Sequence, residues 1–178
     1  DILEQVVGQI EDEYPHEAPI SIADAVARGG VLLNLTASTH EAVIAELVKA
    51  IPSDLLPPGI EKEDIIRQAL AREKDISTDL GNGVALPHTR VSGLSAPVVV
   101  LGLSTDGVVF SPIAHELVRL VFLLVTPSEQ PEAQLALLSQ IATACRESAA
   151  REALLSAPFP ADIVALLRTG KTSNRSPN

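Results

Sequence analysis

The sequence predicts an α/β fold: a central mixed β-sheet of about five strands flanked by helices. Three observations predict it. Residues 97–103 form a continuous apolar run of the kind that suits a strand buried on both faces. Several stretches place apolar residues three and four apart, the spacing of one helical face. Strands mix with helices along the chain, and layers packed around one sheet accommodate that order.

Taken in order, residues 1–14 read as a short amphipathic helix. Ile2, Leu3, Val6, Val7 and Ile10 share a face, and the segment through Glu17 carries six acidic residues and no lysine or arginine. Residues 15–19 are a linker by their prolines. Ser21 is placed to cap a brief helix that Gly29-Gly30 stops. Residues 31–35 are strand-like. Ser38 and Glu41 have capping-box spacing before a helix whose inward face is Val43, Ile44, Leu47, Val48 and Ile51. Residues 61–73 are the next helix, with Ile65, Ile66 and Leu70 inward. Residues 81–88 are a turn entering an extended stretch, and residues 107–110 and 118–125 two further strands. Pro131 opens a long helix to about residue 147, buried through Leu135, Leu138, Ile141 and Ala142. Two short helices follow, at 151–155 and 161–167. The domain therefore spans residues 20–169, between a leading segment at 1–19 and a polar tail at 170–178.

Composition excludes several function classes. A formal net charge of -10 opposes a phosphate backbone, and four aromatic residues in 178 give no platform for stacking bases, so nucleic acid is not a partner. No apolar run approaches the roughly 18 residues of a membrane span. The single cysteine, Cys145, fits a reducing compartment and reads as a packed thiol. His16, His40 and His115 lack the spacing of a metal site, and the Gly-Asn-Gly turn matches no nucleotide-binding fingerprint. Neither a metal nor another cofactor is expected. Methionine is absent, so the chain reads as a piece of something larger.

Chemistry concentrates in the stretch from Arg72 to Arg90, Arg-Glu-Lys-Asp-Ile-Ser-Thr-Asp-Leu-Gly-Asn-Gly-Val-Ala-Leu-Pro-His-Thr-Arg. Gly81 and Gly83 flank Asn82 where a backbone must turn or approach closely. Pro87 stiffens the approach to His88, which suits a nucleophile that must be held. Neutral imidazole is nucleophilic near neutral pH, provided one ring nitrogen is bare and the other donates to a fixed acceptor. Phosphoryl transfer needs positioning and charge compensation, for which arginine's planar fork is suited. Arg72 and Arg90 are the candidate donors, with a hydroxyl from Thr89 and backbone N–H groups of the glycine turn. For Arg72 the competing account is a surface ion pair with Glu73 or Asp75.

This block resembles the active-site signature of the type 2 enzyme IIA domains (fructose, mannitol and nitrogen-regulatory class) of the phosphoenolpyruvate-dependent phosphotransferase system, with similarity from about Ile20 to Leu167. The resemblance implies that His88 takes a phosphoryl group from the carrier HPr and that Arg72 assists. It also implies the phosphotransferase/anion transport protein-like fold and a downstream partner, an enzyme IIB or the chain's own parent. One position departs from the pattern. Where the family commonly has a second histidine near the first, this chain has Gln134, which donates hydrogen bonds but carries no charge. Asp79, where a small residue is usual, adds negative charge nearby.

Residues 1–14 are similar to the segment after the CBS pair in hemolysin-like, magnesium-cobalt efflux membrane proteins. That likeness implies a cytoplasmic domain at the end of an inner-membrane protein. Two functions remain in view: a phosphohistidine carrier, and a regulatory interaction module without catalysis of its own.

Overall fold

The computed structural model describes residues 20–75, 78–111 and 116–169. The helix, linker and CBS-like readings of residues 1–19, the tail at 170–178, and His16, Ser77 and His115 lie outside the described residues.

Seven elements precede the central hairpin or belong to it. They are α1 (Ile22–Gly29), β1 (Val31–Leu32), α2 (His40–Lys49), α3 (Lys62–Asp75), β2 (Asp79–Gly81), β3 (Val84–Ala85) and β4 (His88–Val91). A single 3-10 turn, Ser53–Leu55, lies between α2 and α3. Then come β5 (Val98–Val108), β6 (Val118–Pro127), α4 (Pro131–Ala144), α5 (Ser148–Ser156) and α6 (Pro160–Thr169). The strands form one six-stranded mixed sheet in the order β1-β5-β6-β3-β2, with β4 also on β6. β5 and β6 run antiparallel, Val98 opposite Val125, while β1 lies parallel on β5 and both β3 and β4 lie parallel on β6.

Alternation along the strands sorts the core into two layers. One face carries Val84, Leu86, Val99, Leu101, Leu120, Phe122 and Leu124 under α1, α4, α5 and α6. The other carries Ala85, Val91, Val98, Val100, Val121, Leu123 and Val125 under α2 and α3. Both faces of β5 and β6 are covered, which is why those strands read as unbroken apolar runs.

Local signals set most element ends. Ser21 caps α1 by accepting from the Asp24 N–H, and Gly30 closes it at φ 105°. Pro131 occupies the first turn of α4. The α2 cap differs from the expected capping box: Thr39, not Ser38, accepts the Ala42 N–H, and the helix starts one residue later. The expected strands at 97–103 and 107–110 merge into one strand, β5, which ends at Val108 and leaves residues 109–110 outside it; its register against β6 shifts between Leu103 and Val108. Ser104 Oγ accepts the Gly107 N–H inside that irregularity, so the pairing survives the turn residues. In α4 the buried stripe is Ala133, Gln134, Leu137 and Ile141, whereas Leu135 is 68% exposed. Two adjacent stripes of that helix are apolar, and packing against β6 selected the other one.

Candidate functional site

Residues 84–91 make a nearly straight edge beside β6, from Val84 opposite Leu120 to Val91 opposite Pro127. Pro87 interrupts the hydrogen-bonding ladder without bending it, since its carbonyl still accepts the Leu124 N–H at 2.9 Å. His88 follows immediately, half-buried, on the face that carries Leu86. Its Nδ1 lies 2.9 Å from the Leu86 carbonyl oxygen. A carbonyl can only accept, so Nδ1 carries the proton and the neutral ring has Nε2 bare.

His88 lines a cleft of about 400 Å³ together with Arg72, Asp75, Thr78, Asp79, Leu80, Leu86 and Leu138. Arg72 comes from the exposed last turn of α3, and among the described residues it forms no ion pair. The alternative of a surface pair with Glu73 does not hold. Glu73 is buried and its carboxylate accepts the Thr78 N–H at 3.1 Å and the Thr78 hydroxyl at 2.5 Å. Asp79 accepts the Gly81 N–H at 2.9 Å. The wall from Thr78 to Leu80 is therefore held at both ends by carboxylates.

The remaining candidates separate. Arg90, two residues along β4 on the same strand face as His88, donates from Nε to Gln134 Oε1 at 3.1 Å. Neither of these two lines the His88 cleft, and Arg90 lines a neighbouring one with Asp64, Gln68 and Ser128. Thr89 does not join them. It is fully buried on the opposite face, where its hydroxyl donates to Gln68 of α3 at 3.2 Å. The glycine turn is also elsewhere. Gly81, Asn82 and Gly83 all take positive φ, and added Cβ atoms would meet nothing within 4 Å at Gly81 and only ordinary contact at Gly83. They are there to turn β2 into β3, not to admit a close approach. Val84 and His88 are about 13 Å apart at ~3.3 Å per residue, with the turn beyond. The Gly81 N–H is already taken by Asp79.

Comparison with known proteins gives the family. Residues 26–170 match the family model for the phosphoenolpyruvate-dependent sugar phosphotransferase system, EIIA 2. A nitrogen regulatory protein of Pseudomonas aeruginosa is 33% identical over 140 residues, covering 78% of this chain and 89% of the relative. The chain belongs to the EIIA 2 family. Among solved structures, nitrogen regulatory protein IIA-Ntr from Neisseria meningitidis shares the fold at TM-score 0.73 and 24% identity, over 82% of this chain and 98% of that one. So does the IIA component of an Escherichia coli complex of enzyme IIA mannitol with phosphorylated enzyme IIB, at TM-score 0.60 and 21% identity, over 78% and 93%.

In this EIIA 2 chain the cleft has contributors that the sequence did not single out: Thr78, Leu80, Leu86 and Leu138 in its lining, and Glu73 behind Thr78. Glu73 was legible as a buried position, because it continues the Ile65, Ala69 stripe at intervals of four. Its bond to Thr78 was not, since the α3–β2 connection has no periodicity to read. Leu138 reaches the cleft from α4, more than forty residues away in sequence, and no local signal announces that.

Proposed function

We propose that this EIIA 2 domain is a phosphohistidine carrier or regulatory domain whose Nε2 of His88 accepts a phosphoryl group from an HPr-like phosphocarrier. The donor's N–P bond breaks as the Nε2–P bond forms, and no proton need leave the site. The ring keeps its Nδ1 hydrogen, gains positive charge, and is stabilised by the Leu86 carbonyl that already accepts that hydrogen. Arg72 supports the transfer by offering its guanidinium to the phosphoryl oxygens from the far side of the cleft. The observation that carries the reading is the Nδ1 bond to Leu86, which selects the tautomer with a bare Nε2.

From His88 the group passes to a downstream protein of the enzyme IIB kind, or stays as a signal. The complex of a IIA domain with phosphorylated enzyme IIB supports the first outcome and the nitrogen regulatory relatives the second. No helix among the described residues is long and apolar enough to cross a membrane. The likeness of residues 1–14 to a CBS-associated segment supports a cytoplasmic position at the end of a membrane parent, and the residues encoded before Asp1 decide that point.

The test is transfer from phosphorylated HPr, followed by mass spectrometry of the acid-labile phosphate. Label on His88, and none on His88→Ala, is the expected result. An unlabelled chain under conditions that label a nitrogen regulatory IIA protein would overturn it.

A further inference from the structure

We propose that Arg90 is a second phosphate-facing cation of this site and that Gln134 is the positioning residue that aims it. The inference rests on His88 being the phosphoryl acceptor and says how the new charge is compensated.

His88 and Arg90 sit two residues apart on one strand, so their side chains leave the same face with Cα atoms about 6.6 Å apart. That face is apolar from Val84 through Leu124 and becomes polar at Arg90 and Thr126. Gln134 of α4 is 8% exposed, so its amide has little freedom, and its oxygen accepts the Arg90 Nε–H at 3.1 Å. The inner donor of the guanidinium is thus occupied. Its terminal NH2 groups have no bonding partner among the described residues, and no carboxylate pairs with Arg90 there. The Thr126 hydroxyl, opposite Arg90 in register and on the same face, is fully buried and makes no hydrogen bond among the described residues.

A partly buried guanidinium without a counter-charge, above an unpaired buried hydroxyl, is an incomplete polar arrangement. A phosphoryl group on His88 completes it. The group's two negative charges lie in a cleft that already holds the carboxylates of Asp75 and Asp79. Arg72 lines that cleft from α3. Arg90 stands outside its lining, next along the same face of β4, and supplies positive charge from there. Gln134 contributes no charge. By taking the Nε–H it leaves the outer pair of N–H groups to meet two phosphate oxygens in the fork geometry.

The experiment measures the extent and rate of His88 phosphorylation with two donors, phosphorylated HPr and potassium phosphoramidate. The proteins are the full chain and its Arg90→Gln, Arg90→Lys, Gln134→Leu and Arg90→Gln/Gln134→Leu variants, with urea midpoints as the folding control. Arg90→Gln should lower the equilibrium constant for phosphorylation about tenfold with either donor, read at donor concentrations that leave the wild type half-labelled, the scale of a charged hydrogen bond lost. Arg90→Lys should recover part of that loss. Gln134→Leu should reduce the extent in the wild-type background and add nothing to Arg90→Gln, because it acts through Arg90. Arg90→Gln at the wild-type extent and rate would overturn the proposal, as would multiplicative losses in the double variant. If phosphoramidate alone labels the wild type, HPr falls as donor while the variants still decide Arg90. If neither donor labels it, the carrier reading falls and takes this inference with it.

Discussion

Glu73 and Thr78 are joined twice across the α3–β2 connection, through the backbone N–H and the hydroxyl of the threonine. This buried carboxylate ties the end of the helix that bears Arg72 to the strand that forms the cleft wall. Glu73→Ala leaves the Thr78 N–H without its acceptor and should lower stability by about 2 kcal/mol. Phosphoryl transfer to His88 should slow as well, because Arg72 loses its fixed relation to the wall. Urea unfolding and the labelling assay check both. A variant with normal stability and normal transfer would show that the tie is dispensable.

Gly29 ends α1 against the sheet. A Cβ there would lie 2.1 Å from the Val99 carbonyl oxygen, a backbone atom of β5 that cannot move aside. Gly30, its neighbour, has open space but φ 105°. Gly29→Ala should therefore cost about 3 kcal/mol or more by forcing the helix off the strand. Gly30→Ala should cost about 1–2 kcal/mol from backbone strain alone. Urea midpoints of the two variants should keep that order, and the reverse order would mean the helix can shift freely.

Burial pushes the Cys145 thiol from the ordinary value of 9.0 up to about 11, although Arg151 nearby pulls it down. The folded state thus disfavours the thiolate. Its contribution to stability is complete below about pH 9 and is lost as pH rises towards 11, by roughly 2–3 kcal/mol for a shift of this size. Unfolding midpoints measured from pH 8 to 11 should fall, and Cys145→Ala should flatten that slope. A thiol reagent at pH 8 should modify the native protein far more slowly than the unfolded one. Fast native labelling would contradict the packed position.

Much of the fold was legible because its signals are local. The apolar run at 97–103 announced a strand covered on both sides, residues 118–125 announced another strand, and Ser21, Gly30 and Pro131 marked helix ends by their own backbone chemistry. Where two local solutions were nearly equal, the reading slipped. Thr39 and Ser38 both cap well. The stripes through Leu135 and through Leu137 are both apolar, and only the position of β6 distinguishes them. Residues 107–110 looked like a strand of their own because the polar residues Ser104, Thr105 and Asp106 precede them, but pairing with β6 carries across the irregularity to Val108.

The candidate site divides in the same way. Proline before histidine, arginine at a helix end and glycines around an asparagine are features of the chain itself; they marked His88 as the candidate nucleophile and left Arg72 and Arg90 as candidate donors, between which the family resemblance chose Arg72. Which partners share its cleft depends on strand parity and on helices distant in sequence. Parity sends Thr89 to the opposite face, to Gln68, and keeps Arg90 on the near face, where α4 brings Gln134 to it. The extended stretch also carries the glycine turn away from the histidine it precedes by five residues. The amino-acid sequence by itself marked which residue is the candidate nucleophile, because imidazole chemistry and proline stiffness are properties of those residues. Tertiary structure alone decided which nitrogen is bare and which cations stand near it, because a tautomer and an ion's neighbours are set by atoms that meet only when the sheet and helices close around them.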